Sequence, residues 1–199
     1  METENQSTVW REVAGIGPTT SESLQAGLRR LQVARPNARQ LLDVPRSWGR
    51  VQRGFVDVCK RLTAGLAPWP LFVHGDVGTG KTRAGLCLCD IVPGALYWPT
   101  DLVSAVAFKP DDFVWEAARN ASLIVVDELA TANHCNDYEY NGLKRLLDIR
   151  DRGDGRVGVY ISNLPPDRLR QYFDDRIASR LLCGTIYEFG GNDQRMVRQ

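Results

Sequence analysis

The sequence predicts an α/β fold in which a parallel sheet is flanked by helices. Three observations carry that expectation. A glycine-rich loop, Gly75-Asp76-Val77-Gly78-Thr79-Gly80-Lys81-Thr82, sits between a short apolar run and a helix-length apolar segment. Downstream, apolar runs alternate with stretches of helical spacing, as strands alternate with helices around a parallel sheet. One run, Leu123-Ile124-Val125-Val126, is continuous and β-branched-rich, as in a strand buried on both faces.

The elements follow in chain order. Residues 1–19 read as irregular and end in Gly15-Ile16-Gly17-Pro18. Residues 20–34 place Leu24, Leu28 and Leu31 at helical spacing, with Arg29 and Arg30 on the other side, and Pro36 stops that helix. Residues 46–64 predict a stronger amphipathic helix with the stripe Val51, Phe55, Val58 and Leu62. Arg46, Arg50, Arg53 and Lys60 lie outside that stripe, on a solvated face or along a phosphate backbone. Leu71-Phe72-Val73 predicts a strand after the punctuating Pro68-Trp69-Pro70. Ala84, Leu86, Leu88 and Ile91 predict the helix after the glycine loop. Ala95-Leu96-Tyr97-Trp98 is the next strand, and Thr100 is placed to cap a helix carrying Leu102, Val103 and Val106. Residues 111–121 predict a short helix around Phe113 and Ala117. Asn136 with Glu139 signals the start of a helix that buries Leu143, Leu146 and Leu147. Val157-Gly158-Val159-Tyr160-Ile161 predicts a further strand.

Composition bounds the function. A chain of 199 residues makes one domain, or one domain with a short extension. Its 43% hydrophobic and 25% charged residues are ordinary for a globular protein, and a net charge of +1 argues neither for nor against nucleic acid. No apolar run has the length of a membrane span and the N-terminus is polar, which predicts a cytosolic protein without a signal peptide or membrane contact. Cys59, Cys87, Cys89, Cys135 and Cys183 are scattered and odd in number, so no disulfide scaffold is expected. Cys87 and Cys89, two apart on a helix, do not share a face. His134-Cys135 has no second pair at metal-ligand spacing and reads as solvated loop.

The chemistry sits in three places. The glycine loop fits G-x-x-x-x-G-K-[ST] at every fixed position. Its glycines let backbone N–H groups close around phosphate oxygens. Lys81 is placed for β- and γ-phosphates, the Thr82 hydroxyl for Mg²⁺, and the helix N-terminus for the same negative charge. Asp127-Glu128 closes the buried apolar run, and ligands of parallel sheets bind beyond the carboxyl ends of the strands. Asp127 is therefore expected to hold Mg²⁺, directly or through water, and Glu128 to act as general base on a water. Asn163 follows the strand 157–161 in Ser162-Asn163-Leu164-Pro165-Pro166. Its amide suits a γ-phosphate or the attacking water, and a turn before prolines is the simpler alternative.

These landmarks, in this order, resemble an AAA+ ATPase, and more narrowly the DnaC/IstB-like group of helicase loaders, their phage counterparts and transposition helpers. Residues 75–82 match its P-loop, Asp127 and Glu128 its paired acidic residues, and Ser162-Asn163-Leu164 its sensor 1. Arg176-Ile177-Ala178-Ser179-Arg180-Leu181 matches its R-x-x-S-R-L element. The resemblance implies that Arg180 is an arginine finger acting in trans within a homo-oligomer. It implies a late sensor 2 arginine, for which Arg195 is the match and Arg198 the fallback. A closing strand, Thr185 to Phe189, and a polar tail are too short for a full helical lid domain, which that group also lacks. The resemblance covers about residues 46–199 as the ATPase domain. It leaves residues 1–45 as a short N-terminal helical extension for docking a partner.

The implied function is ATP hydrolysis in DNA replication, with a replicative helicase as partner and weak, ATP-dependent binding of single-stranded DNA. Regulation of transposition target DNA with a transposase partner is the alternative, as is a nucleotide-gated binding module with little turnover. A small-molecule kinase would need a substrate pocket and a lid with arginines acting in cis. A GTPase would need an N-K-x-D motif, and the sequence has none.

Overall fold

The computed structural model describes residues 51–108, 112–151 and 157–191. The extension 1–45 with its predicted helix 20–34, the basic residues Arg46 and Arg50, and the tail arginines Arg195 and Arg198 lie outside them. The order of elements is α1 (Arg53–Thr63), β1 (Leu71–Gly75), α2 (Lys81–Ile91), β2 (Ala95–Pro99), α3 (Thr100–Phe108) and α4 (Asp112–Asn120). There follow β3 (Leu123–Leu129), α5 (Asp137–Asp151), β4 (Val157–Ser162), α6 (Pro166–Tyr172), α7 (Asp175–Leu182) and β5 (Thr185–Phe189).

The five strands form one sheet in the order β2-β3-β4-β1-β5, and every pairing is parallel. β3, β4 and β1 are thus central, and their carboxyl ends lie side by side. Register fixes this: Val126 pairs with Tyr160 across β3 and β4, and Val73 with Ile161 across β1 and β4.

Alternation along each strand builds two cores, one per face. Leu71, Val73, Leu123, Val125, Val159 and Ile161 pack with α1 and α2. Phe72, Leu96, Trp98, Ile124, Val126 and Tyr160 pack under α3 to α7 on the other face. The continuous run 123–126 therefore feeds both layers, as its composition predicts.

Several local expectations shift. Of the helix expected over 46–64, residues 46–50 lie outside the described residues, and the described part is helical over Arg53–Thr63. Its buried face is Phe55, Cys59 and Leu62, while Val58 is only half-buried. The spacing i, i+4, i+7 points Cys59 rather than Val58 at the sheet. In α4 the buried side chains are Val114, Trp115 and Ala118, and Phe113 is 39% exposed. Trp115 takes the core position because it meets Trp98 edge-on at 5.8 Å, with the Arg145 guanidinium 4.5 Å from its ring centre. Thr100 does not act as a cap: its hydroxyl donates to the Asp127 carbonyl at 3.0 Å. Asn136 does cap α5, accepting from the amides of Tyr138 and Glu139 at 3.0 and 2.9 Å.

Candidate nucleotide site

The glycine loop joins β1 to α2, which begins at Lys81. Gly78 and Gly80 have φ of 83° and 100°, in the region that glycine enters at least cost. The Thr79 hydroxyl donates to the Asp76 carbonyl at 2.8 Å and tightens the loop. Lys81 is buried, and its ammonium donates to the carbonyls of Gly75 and Asp76, both at 2.7 Å. The charge thus lies across the loop, at the mouth of the N–H cradle. Val77 and Thr82 are exposed, Thr82 in the first turn of α2. Gly85 sets the height of that helix: a Cβ there would stand 2.8 Å from Ile161 Cδ1 and 2.9 Å from Val125 Cγ1.

Gly75 has a further role. Its φ is 142°, and a Cβ there would lie 2.2 Å from the carbonyl oxygen of Phe189 on β5. The first loop glycine is therefore required by the sheet as well as by any phosphate.

Asp127 is buried beside the loop strand's neighbour, and both its oxygens have donors. Oδ2 accepts from the Tyr97 hydroxyl at 2.6 Å, and Oδ1 from the Glu128 amide at 2.8 Å. Burial, and then the Asp127 charge and hydrogen bond, push the Tyr97 phenol well above its ordinary 10. Each carboxylate oxygen keeps a lone pair beyond these contacts, so Asp127 fits a cation or a cation-bound water. Among the described residues no group of three or more His, Cys, Asp or Glu forms a metal cluster.

Glu128 is exposed, with a φ of 62°, and Ala130 has a φ of 59°. Non-glycine residues rarely adopt this conformation, which collects at functional sites. The register slips between Val126 and Leu129, so the acidic pair sits in a bulge inside β3 rather than after it. Successive backbone groups of the bulge are held by side chains. Thr100 donates to the Asp127 carbonyl, Asp127 accepts from the Glu128 amide, Ser162 donates to the Leu129 carbonyl, and Glu139 accepts from the Ala130 amide.

Asn163 is exposed just past β4, the strand between β3 and β1. Ser162 before it is buried, donating to Leu129 at 2.8 Å and accepting from the Leu164 amide at 3.0 Å. Lys81, Asp127, Glu128 and Asn163 therefore share one edge of the sheet. His74, one residue ahead of the loop, stands in register with Glu188, and burial holds its imidazole below the ordinary 6.5 against the pull of that carboxylate.

Arg180 lies elsewhere. Its guanidinium holds Asp148 at 2.8 Å and Asp151 at 2.6 and 2.8 Å. Those aspartates end α5, a helix of 15 residues and so about 22 Å long, which starts near the acidic bulge and returns to the foot of β4. Arg180 thus stands at the opposite edge of the sheet from its own glycine loop. Arg176, in the first turn of the same α7, is exposed.

The cysteines are unpaired thiols, as expected. Burial pushes Cys59, Cys89 and Cys135 up to about 12, Cys87 is buried, and Cys183 is exposed.

Sequence reasoning did not single out Tyr97, Ser162 or the distant contacts of Glu139. Strand alternation puts Tyr97 on the Asp127 side of the sheet, which is a usable signal. The bulge has none, because Asp127-Glu128-Leu129-Ala130 contains no glycine to mark its positive φ angles.

No family model matches the chain, and no curated protein matches it. Solved structures do. AMPPCP-bound DnaA from Aquifex aeolicus is similar at 18% identity and a TM-score of 0.59, over 72% of this chain and 48% of that one. DnaI is similar at 16% identity and a TM-score of 0.57, over 78% of this chain and 95% of that one. The DnaC helicase loader is similar at 13% identity and a TM-score of 0.52, over 95% of this chain and 98% of that one. This chain spans about half the length of two DnaA structures it matches. No helix among the described residues is long and apolar enough to cross a membrane. With its all-parallel five-stranded sheet, glycine loop and flanking helices, the chain has the α/β fold of P-loop AAA+ domains.

Proposed function

We propose that the protein binds and hydrolyses ATP and loads a replicative helicase during DNA replication. The observation that carries this reading is the convergence of Lys81, Asp127, Glu128 and Asn163 on one sheet edge. Residues 75–82 wrap the phosphates, and Lys81 leaves the loop carbonyls for the β- and γ-phosphates. Thr82 and Asp127 would hold Mg²⁺, which neutralises charge on the phosphates when bound. Glu128 takes the proton of a water, and Asn163 orients that water or the γ-phosphate by a hydrogen bond. Arg180 cannot reach its own loop, so its role is in a neighbouring subunit's site, where it stabilises charge on the transferred group. Arg195, or Arg198, serves as the late arginine.

Loading is favoured because similarity to DnaI and the DnaC loader runs across nearly all of those chains, and only about half of DnaA. The extension 1–45 supplies the docking segment. Single-stranded DNA is bound weakly and only by the ATP-bound assembly, with affinity falling as salt rises.

A pull-down against the cognate replicative helicase, with and without ATP, tests the role. Retention that depends on ATP is expected. Absence of retention in both conditions removes the loader assignment and leaves the ATPase to be judged by turnover alone.

A further inference from the structure

We propose that Glu139 and Tyr172 are positioning residues for Glu128, joining the acidic bulge to the helix that follows Asn163. The inference rests on the reading of Glu128 as the general base. Glu128 is exposed, and the point from which its side chain leaves the sheet is set by its backbone. That backbone has a φ of 62°, and Ala130 two residues on has a φ of 59°. Such a turn persists only where its surroundings over-determine it.

Glu139 supplies part of that determination from outside the sheet. It occupies the third position of α5, where a capping glutamate folds back on the N-cap amide. Here it turns the other way. Its Oε1 accepts from the Ala130 amide at 3.3 Å, and its Oε2 accepts from the Tyr172 hydroxyl at 2.8 Å. Glu139 is only 3% exposed, and a buried carboxylate needs such donors. The His134 carbonyl lies 3.2 Å from the same hydroxyl, as the weaker branch of one bifurcated hydrogen bond, in the loop between β3 and α5.

The two ends of this link are significant. Tyr172 closes α6, which begins at Pro166, just beyond Asn163. Ser162, next to Asn163, holds the Leu129 carbonyl from the other side at 2.8 Å. Glu128 and Asn163 therefore share one support, gripped by Ser162 on the sheet and by the Glu139–Tyr172 pair beneath the helices. A base misplaced by about 1 Å loses on the order of 100-fold in rate while ground-state binding is spared.

The test uses the full chain and the variants Glu139→Ala, Glu139→Gln and Tyr172→Phe, with Glu128→Gln as reference. Turnover, nucleotide affinity, thermal midpoint and amide hydrogen exchange at Ala130 are measured on each. Glu139→Ala should lose about 10-fold to 100-fold in turnover, keep nucleotide affinity within about two-fold, and exchange faster at Ala130 than the parent. Glu139→Gln should recover most of the turnover, because its amide oxygen still accepts from Ala130. Tyr172→Phe should fall between them. Parental turnover in Glu139→Ala overturns the proposal, as does a loss of turnover and affinity in step with the thermal midpoint in all three variants. Equal turnover in the parent and Glu128→Gln removes Glu128 from the base role, and this proposal with it. That failure shows in the reference variant and is separate from any result at Glu139.

Discussion

Tyr97 reaches from β2 to the neighbouring β3 and donates its hydroxyl proton to Asp127 Oδ2 at 2.6 Å. The phenol stays protonated far above neutral pH, because burial and the adjacent carboxylate both oppose its ionisation. It is therefore a permanent donor that fixes the orientation of the Asp127 carboxylate. Tyr97→Phe should cost about 1–2 kcal/mol of stability and raise the Mg²⁺ concentration needed for half-maximal turnover. Urea unfolding and a Mg²⁺ titration check this. An unchanged titration would mean that the Glu128 amide alone orients the carboxylate.

Lys81→Ala should abolish nucleotide binding, whereas Glu128→Gln should bind normally and lose turnover. Lys81 donates to loop carbonyls that surround the phosphate cradle, so its loss removes ground-state contacts. As the proposed base, Glu128 would act on the water and so be felt only in the reaction. Affinity and turnover, measured separately, distinguish the two. Normal turnover in Glu128→Gln refutes its assignment as base.

Arg180→Ala should keep ATP binding and lose turnover, and a mixture with Lys81→Ala protein should recover part of it. Removing the guanidinium also frees Asp148 and Asp151, at a cost of about 1 kcal/mol that unfolding curves will register. Rescue requires one subunit to supply the arginine and the other the phosphate site. Mixtures no more active than either variant would exclude Arg180 and turn attention to the exposed Arg176.

Asp174 caps α7, accepting from the Ile177 amide and from the Tyr140 hydroxyl. The Tyr140 hydrogen bond first, and then the Ile177 amide, hold its carboxyl below the ordinary 3.8. Between the folded and unfolded values the unfolded chain binds the extra proton, so stability rises with pH there. The contribution of Asp174 is complete above pH 3.8 and disappears as pH falls through the lower folded value. Asp174→Asn should flatten that acid limb while leaving stability at pH 7 nearly unchanged, since asparagine also caps. An acid limb identical to the parent's would place the acid sensitivity in other carboxylates.

The sheet and its central strands are legible in the sequence because apolar continuity and helical spacing are large signals. Leu123 to Val126 feeds two cores, and only a doubly covered strand requires that. The glycine loop is legible because each fixed residue type has a separate task. What stays hidden depends on contacts between residues far apart in the chain. Gly75 reads as a phosphate glycine, yet Phe189, on the last strand, independently forbids a side chain there. Glu139 reads as half of a helix-start signal, yet it reaches Ala130 and Tyr172. Phe113 and Trp115 are both aromatic and two residues apart, and only the position of Trp98 decides which is buried.

Thiol accessibility also gives this chain a practical handle. Cys183 is exposed, while burial withholds the other thiols or holds them in protonated form. Its sulfur lies 3.2 Å from the Arg180 carbonyl, at the turn into β5. A maleimide fluorophore added near neutral pH should attach there first, without cysteine replacements. The dye would sit at the edge of the sheet remote from the glycine loop. A quencher on the nucleotide that acts only by contact would then leave its emission unchanged in isolated subunits and dim it only when a second subunit brings its own nucleotide alongside.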